Sequence, residues 1–249
     1  MYSTFIKPLY LDIKTFVLDT LFPISCLSCG EEGEFICADC KSTMKTLEHQ
    51  RCIVCQKNTP FGATHPLCQT PWGADGLISF YDYHDEKVSK IIIAGKYNFI
   101  PMAYEILGQM IALKFQSNFL ISQFPNFYLV PIPLHTTRQR WRGFNQAEVL
   151  CQAIAKELGL PISRALIRSK ITKTQKDLKK DSRIKNVADA FAVAPSPLEG
   201  RAGERLQIQG QSFILIDDVT TTGSTLQEAA KTLKRHGASK VICLTVARD

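Results

Sequence analysis

The segment ILIDDVTTTGST, residues 214–225, joins the end of an apolar strand pattern to the start of a helix pattern. Residues 213–216 predict a short buried strand, and the apolar face recurring over 224–236 predicts a helix that Gly237 ends. A further apolar run at 240–246 predicts a return strand, so a right-handed strand–helix–strand crossover is expected. Open parallel sheets normally bind their ligands where a strand gives way to a helix in this manner.

The loop between this strand and helix suits a phosphate group. The first turn of a helix presents unpaired backbone N–H groups and the positive end of the helix dipole. A glycine lets the backbone approach the ligand, and side-chain hydroxyls add hydrogen bonds. The residues that we predict to hold the phosphate are Thr221, Thr222, Gly223, Ser224 and Thr225.

Two adjacent carboxylates, Asp217 and Asp218, come directly before the loop. They can accept hydrogen bonds from vicinal ribose hydroxyls or help to hold a divalent cation. An acidic pair followed by threonines and a glycine can also simply cap a helix. The order of strand, acidic pair, hydroxyl-rich loop, glycine and helix favours a site for a phosphorylated ribose.

This segment resembles the PRPP-binding signature of type I phosphoribosyltransferases, without a gap. The resemblance implies that Asp217 and Asp218 bind the ribose hydroxyls, with Mg²⁺ present, and that the loop binds the 5′-phosphate. It also implies a pyrophosphate loop earlier in the chain. The best match is AGKY at residues 94–97, where Lys96 would contact pyrophosphate, although a lysine at a helix end can equally be a solvated residue.

Seven of the nine cysteines lie between residues 26 and 68, mostly in CxxC pairs. In a chain without a recognisable secretion signal, such pairs are typical of metal ligands. The group that can supply the four thiolates of a structural zinc site is Cys26, Cys29, Cys37 and Cys40. The group that offers a second zinc site is Cys52, Cys55, His65 and Cys68. The pairs could also interleave, and the sequence leaves this open.

The composition of the 249-residue chain divides it into two parts. We predict an N-terminal helix and zinc-finger module over 1–73 and a phosphoribosyltransferase-like domain over 74–249. Alternating helix and strand patterns predict an α/β fold, a parallel sheet flanked by helices. One helix is expected to begin at Asn145, which has capping-box spacing to Glu148, and to end at Gly159. The other elements expected are helices over 85–94 and 102–115 and a strand over 127–133.

Two further motifs extend the resemblance, RGFNQ at 142–146 and a lysine-rich segment at 172–193. With the zinc module and the PRPP signature, they make the chain similar to the ComF family of competence-associated proteins from end to end. The resemblance implies a role in natural transformation, where imported single-stranded DNA must reach the cytoplasm and be processed. It makes other competence DNA-uptake proteins candidate partners. The residues that carry it are Arg142, Gly143, Phe144, Asn145, Gln146, Thr174, Gln175, Leu178, Arg183, Asn186 and Phe191.

The positive charge is concentrated in one region. Residues 164–185 carry nine Lys or Arg against Asp177 and Asp181, a net +7 that equals the charge of the whole chain. Such a stretch can follow a phosphate backbone with little sequence preference, although a solvated surface segment would look the same. An arginine cluster before a helix N-terminus also suits anions. The candidates for anion or DNA binding are Arg138, Arg140, Arg142, Lys173, Lys176, Lys179, Lys180 and Arg183.

Charged residues interrupt the apolar N-terminal segment every few positions, and no run approaches the ~20 apolar residues of a membrane span. We therefore expect a cytoplasmic protein without a membrane span.

Two functions from different classes fit the motifs. We favour a competence protein that handles single-stranded DNA and binds PRPP or a related phosphoribosyl compound. The alternative is an active PRPP-dependent phosphoribosyltransferase acting on an unknown base or small acceptor. No base-recognition hood is identifiable in the sequence, which counts against the enzyme, whereas the intact acidic pair and phosphate loop count for it.

Overall fold

The computed structural model describes residues 23–117, 126–170, 188–194 and 208–249. The helix expected near the N-terminus lies outside these residues. So do some of the basic residues proposed for anion or DNA binding, which are Lys173, Lys176, Lys179, Lys180 and Arg183. All other candidate site residues are described.

A four-stranded parallel sheet forms the centre of the molecule, and a separate antiparallel pair lies beside it. The strands in chain order are β1 (Gly76–Asp82), β2 (Phe127–Pro131), β3 (Leu166–Arg168), β4 (Phe191–Val193), β5 (Ser212–Thr220) and β6 (Lys240–Arg248). The order in the main sheet is β1-β6-β5-β2, with every pairing parallel. The predicted α/β fold with a parallel sheet is confirmed.

Helices cover both faces of this sheet. They are α1 (Ala38–Thr43), α2 (Glu86–Tyr97), α3 (Pro101–Ser117), α4 (Thr136–Arg142), α5 (Gln146–Leu158) and α6 (Ser224–Arg235). Side chains alternate along a strand. Ile214 and Ile216 therefore pack into one core with α2, α3 and α5, while Phe213 and Leu215 pack into another with α6 and the β3–β4 pair.

The ends of α5 form as predicted. Asn145 caps its start, with Oδ1 accepting the Ala147 N–H at 3.1 Å, and Gly159 ends it in the left-handed region at φ 67°. The capping box is only half formed, because the Glu148 carboxylate accepts hydrogen bonds from the Arg164 guanidinium.

Two of the elements that extend beyond their expected ends carry candidate site residues. Helix α2 continues to Tyr97, so Lys96 lies in its last turn and not in a loop after it. Strand β5 continues through the acidic pair to Thr220, because β6 runs alongside and Asp217 pairs with Thr245. The two carboxylates therefore project from a strand whose backbone is held by its neighbours.

The cysteine-rich module covers the free edge of β1. The Leu47 N–H donates to the Phe80 carbonyl at 3.0 Å. The Gln50 side-chain amide pairs with the backbone of Ser79 in both directions, at 2.8 and 2.9 Å, as a neighbouring strand would. The edge strand is thus protected within the same chain. In the described part of the chain, no helix combines the length and apolar character needed to cross a membrane.

Candidate functional site

The acidic pair at the carboxyl end of β5 meets a lysine from the end of α2. Lys96 Nζ lies 2.6 Å from Asp218 Oδ2, and both side chains are largely buried. The other Asp218 oxygen accepts the Val219 N–H at 2.8 Å. The lysine that the sequence assigned to pyrophosphate is therefore brought directly to the predicted ribose carboxylates.

Tyr104 of α3 completes the surroundings of Asp218. Its hydroxyl donates to the Ile92 carbonyl at 3.0 Å and lies 3.4 Å from Asp218 Oδ2. Burial, followed by the Asp218 charge, raises the pKa of Tyr104 well above its usual value, so the hydroxyl keeps its proton. A Cβ at position 95 would lie 2.7 Å from the Tyr104 ring, which explains the glycine of AGKY. Sequence reasoning missed Tyr104, whose only signal is a polar group within an apolar helix.

Asp217 differs from Asp218 in its electrostatics. Its Oδ1 accepts the Asp218 N–H at 2.9 Å. Burial, and next the neighbouring Asp218 carboxylate, raise the pKa of Asp217 to about 7, against the opposing influence of Lys96 and Arg168. Asp217 therefore loses its proton less readily than an exposed aspartate would.

Arginines from two elements, α4 and β3, gather near this end of the sheet, and Arg168 of β3 lies close enough to Asp217 to interact with it. Arg142 of α4 donates to Gln146 Oε1 at 2.6 Å, and its buried Nε has no hydrogen-bond partner among the described residues. Burial is the largest cause that lowers the pKa values of Arg138 and Arg168. The second cause is repulsion between cations: Arg142 repels Arg138, and Arg138 repels Arg168. Cations held together despite this repulsion favour an anionic ligand. Arg168 was not predicted, and Arg140 is exposed.

The predicted phosphate loop connects β5 to α6. Gly223 has φ 76°, which favours glycine, and caps α6 without a side-chain hydrogen bond to the helix. Thr222 Oγ1 donates to Ser224 Oγ at 3.1 Å. One depression is lined by Asp217 together with Val219, Thr220, Thr221, Thr222, Gly223, Ser224, Thr225 and Leu226. The helix terminus, the loop hydroxyls and one of the two carboxylates therefore face a common space.

The first cysteine group forms a compact cluster. The ligand atoms of Cys26, Cys29, Cys37 and Cys40 all lie within 4.8 Å of one another. Cys37 caps α1, where its Sγ accepts the Cys40 N–H at 3.4 Å. All of these cysteines are free of disulfides. Four gathered sulfur donors fit a tetrahedral structural zinc ion and leave no position open for water.

The second group gathers equally closely around one point. His65 Nδ1 lies 3.2 Å from Cys55 Sγ, while Nε2 is 3.1 Å from the Asn58 carbonyl. An Nε2–H donor to this carbonyl leaves the Nδ1 lone pair facing the thiols, which is the arrangement usual for a zinc-bound histidine. The cysteine pairs therefore group consecutively and do not interleave.

The second group also contacts the phosphate loop, which the sequence did not indicate. Ile53, between Cys52 and Cys55, packs against Gly223. Arg248 at the end of β6 donates to the carbonyls of Arg51 at 2.8 Å and Cys52 at 3.4 Å. The cysteine-rich module therefore packs directly against the predicted phosphate loop.

Comparisons with known proteins match both parts of the chain. A family model described as phosphoribosyl transferase domain matches residues 145–249, and one described as double zinc ribbon domain matches residues 17–70.

Among curated relatives, DNA utilization protein YhgH of Salmonella typhi is 38% identical over 114 residues, 45% of this chain and 45% of that protein. Competence protein F of Haemophilus influenzae is 36% identical over 121 residues, 48% of this chain and 49% of that protein. The matches to these two relatives span about half of their length. Competence protein ComFC of Bacillus subtilis is 28% identical over 228 residues, 87% of this chain and 85% of that protein.

Proposed function

We propose that this homologue of competence protein F and ComFC binds PRPP or a related phosphoribosyl compound and handles incoming single-stranded DNA in natural transformation. The resemblance of its motifs to the ComF family is confirmed by these relatives, whose names support a competence-related role. Location in the cytoplasm, contact with other DNA-uptake proteins and the division into units at residues 1–73 and 74–249 are parts of the same proposal.

The observation that carries the ligand assignment is the meeting of opposite charges at the carboxyl end of β5. Asp217 and Asp218 offer oxygens to ribose hydroxyls, and the N-terminus of α6 offers N–H groups to a 5′-phosphate. Lys96 and the neighbouring arginines offer positive charge to a pyrophosphate group. A compound with all three groups matches this arrangement better than a simple phosphate.

Different residues of the site would bind different groups of the ligand. The loop hydroxyls and Gly223 hold the 5′-phosphate, and Tyr104 with Lys96 orients the Asp218 carboxylate. Asp217 and Asp218 would hold Mg²⁺, and the raised pKa of Asp217 fits a place where a cation belongs. When bound, Mg²⁺ supplies positive charge against the pyrophosphate oxygens.

Calorimetric titration with PRPP and Mg²⁺ tests the ligand. We expect wild-type protein to bind and Asp217→Asn to bind roughly tenfold more weakly or worse, since charge-assisted hydrogen bonds are lost. Asp217 is the better target because Asp218 also pairs with Lys96. Glu157→Gln on the exposed side of α5 is the matched control and should bind as wild type. Absence of PRPP binding by wild-type protein would refute the ligand assignment.

Binding to labelled single-stranded and double-stranded DNA across a salt series tests the DNA role. We expect salt-dependent binding that prefers single strands. In a competent host, replacing both Asp217 and Asp218 by Asn should abolish transformation at an unchanged protein level. Transformation at wild-type frequency with the double variant would contradict a role for the ligand site.

The alternative, an active phosphoribosyltransferase, is favoured by the intact acidic pair and phosphate loop. Its test is base-dependent release of pyrophosphate from PRPP by the purified protein. Release with one base and none with the Asp217→Asn variant would establish the enzyme. Absence of DNA binding at low salt would shift our preference to this function.

A further inference from the structure

Three aromatic side chains cluster on the surface near the candidate phosphoribosyl site. Trp141 meets Tyr97 with ring centroids 6.3 Å apart and Phe99 with centroids 5.4 Å apart, both in edge contacts. All three side chains are exposed, Tyr97 by 41%, Phe99 by 46% and Trp141 by 58%. We call these three residues the aromatic cluster.

The chain places the aromatic cluster beside the charged residues of the site. Tyr97 directly follows Lys96, which pairs with Asp218. Trp141 directly precedes Arg142 on α4, the helix that also carries Arg138 and Arg140. One ring therefore comes from the end of α2 and one from α4, and both are adjacent in sequence to cations of the site.

The backbone between α2 and α3 holds Phe99 in an unfavourable conformation. Phe99 has φ 58°, a left-handed value that a bulky residue rarely adopts and that costs of order 1 kcal/mol or more. Burial of the Phe99 ring does not offset this strain energy, because the ring is nearly half exposed. The conformation brings the ring against Trp141, and a functional use of the cluster would account for it.

In an edge-to-face pair the edge of one ring lies on one face of the other, so the pairing itself uses at most one face of one of the two rings. Exposed aromatic faces combined with arginines are what proteins use to hold single-stranded nucleic acid, with bases stacked on the rings and phosphates beside the cations. A duplex offers its bases poorly to such a surface because they are already paired and stacked. The basic side chains on α4 make an acidic ligand the matching partner.

We propose that Tyr97, Phe99 and Trp141 form a stacking platform for an unpaired base of single-stranded DNA. Arg138 and Arg140 lie on the same helix as Trp141 and face the flanking phosphates. The platform would hold the strand next to the phosphoribosyl ligand, so that DNA and ligand occupy neighbouring sites. The proposal rests on the DNA-handling part of the proposed function and adds the surface on which a base is bound.

Affinity for a labelled single-stranded oligonucleotide, measured by fluorescence anisotropy with the full chain, tests the platform. We expect Trp141→Ala to bind about 5- to 150-fold more weakly, the range given by loss of one base–aromatic stack. Trp141→Phe should retain most of the affinity, whereas Trp141→Leu, which keeps bulk without an aromatic face, should not. Trp72→Ala, at the chain's other exposed tryptophan, is the matched control and should bind as wild type.

The salt dependence separates stacking from charge. The slope of log affinity against log salt counts phosphate contacts, so Trp141→Ala should keep the wild-type slope while Arg140→Ala should lower it by about 1. In a Trp72→Phe background, emission comes from Trp141 alone, and we expect quenching by a normal strand but not by an abasic strand.

Each other outcome overturns the proposal in a distinguishable way. Unchanged affinity of a folded Trp141→Ala protein, with wild-type zinc content and melting temperature, would refute the platform while leaving DNA handling intact. Quenching of Trp141 by free bases with PRPP and Mg²⁺, but not by strands, would assign the platform to a transferase acceptor instead. Absence of DNA binding by wild-type protein would remove both the DNA role and the platform.

Discussion

Ile53 lies so close to Gly223 that a Cβ added to the glycine would be 2.7 Å from Ile53 Cγ1. Ile53 belongs to the cysteine-rich module and Gly223 to the predicted phosphate loop. Real Cβ atoms do not approach so closely, because overlap at this distance is strongly repulsive. The shape of the loop therefore depends on where the second cysteine group holds Ile53.

Gly223→Ala should destabilise the protein and weaken PRPP binding. The new methyl group meets Ile53, and φ 76° is unfavourable for alanine, so we expect a loss of about 2 to 4 kcal/mol in the free energy of unfolding. Urea unfolding measures this loss. Calorimetric titration with PRPP and Mg²⁺ reports the effect on the ligand site.

Gly159→Ala is the matched control, because Gly159 has φ 67° and nothing within 4 Å of its added Cβ. It should show the cost of backbone strain alone, about 1 kcal/mol. Adding Ile53→Ala to Gly223→Ala should recover part of the difference. Equal losses for the two glycine variants would show that Ile53 does not constrain the loop.

Removing a ligand of the second cysteine group should release zinc and weaken PRPP binding together. Binding energy in such sites is folding energy, so Cys68→Ser should loosen the segment that carries Ile53. We expect the zinc content to fall from two ions per chain to one and the PRPP affinity to fall by roughly tenfold. Metal analysis and calorimetry measure the two quantities on the same sample.

Cys29→Ser removes a ligand of the first group and is the control. It should also release one zinc ion but affect PRPP binding less, because the contact with Gly223 comes from the second group. An unchanged zinc content in either variant would argue against the corresponding site.

Lys96→Met should cost more stability than a lysine substitution elsewhere on the same helix. It leaves the buried Asp218 carboxylate without its cation, and we expect a loss of about 1 to 3 kcal/mol in the free energy of unfolding. The control is Lys90→Met, whose 2.7 Å pair with Glu86 is exposed and should be worth about 0.5 kcal/mol or less. Similar losses in both variants, measured by urea unfolding, would mean that the buried pair contributes little.

Asp217 should make the protein less stable as the pH rises toward neutrality. Its pKa is raised to about 7 by burial and by Asp218, so between about pH 4 and pH 7 the folded protein binds more protons than the unfolded chain. The free energy of unfolding falls over that range. Asp217→Asn removes this contribution. Between pH 5 and pH 8, the free energy of unfolding of the variant should therefore fall by less than that of the wild-type protein, with a difference of about 1 kcal/mol or more.

Urea unfolding at the two pH values measures this difference, and Glu157→Gln should follow the wild-type profile. A steeper fall in Asp217→Asn than in wild type would reverse the predicted sign.

Several elements were not indicated by a clear sequence pattern. Strand β1 and helix α4 were not predicted, and neither was the β3–β4 pair, whose strands have three residues each. The three-residue strands carry too few positions for a periodic pattern, and β1, which is buried on both faces, shows no alternation of apolar and polar residues. Helix α4 nevertheless carries three of the candidate arginines, which sequence reasoning identified from charge alone.

The sequence by itself determined the strand, acidic pair, loop and helix of residues 213–236 and the positions of the cysteines and histidine that can bind zinc, because these depend on neighbours a few positions apart. Only the tertiary structure showed that these zinc ligands group consecutively. Only the tertiary structure brought Lys96 to Asp218, placed Tyr104 beside a carboxylate 114 positions away, and set Ile53 against Gly223. These contacts arise because parallel strands with crossover helices gather distant segments at one edge of the sheet. Periodic patterns in the sequence depend only on residues a few positions apart, so they do not indicate which distant side chains meet there.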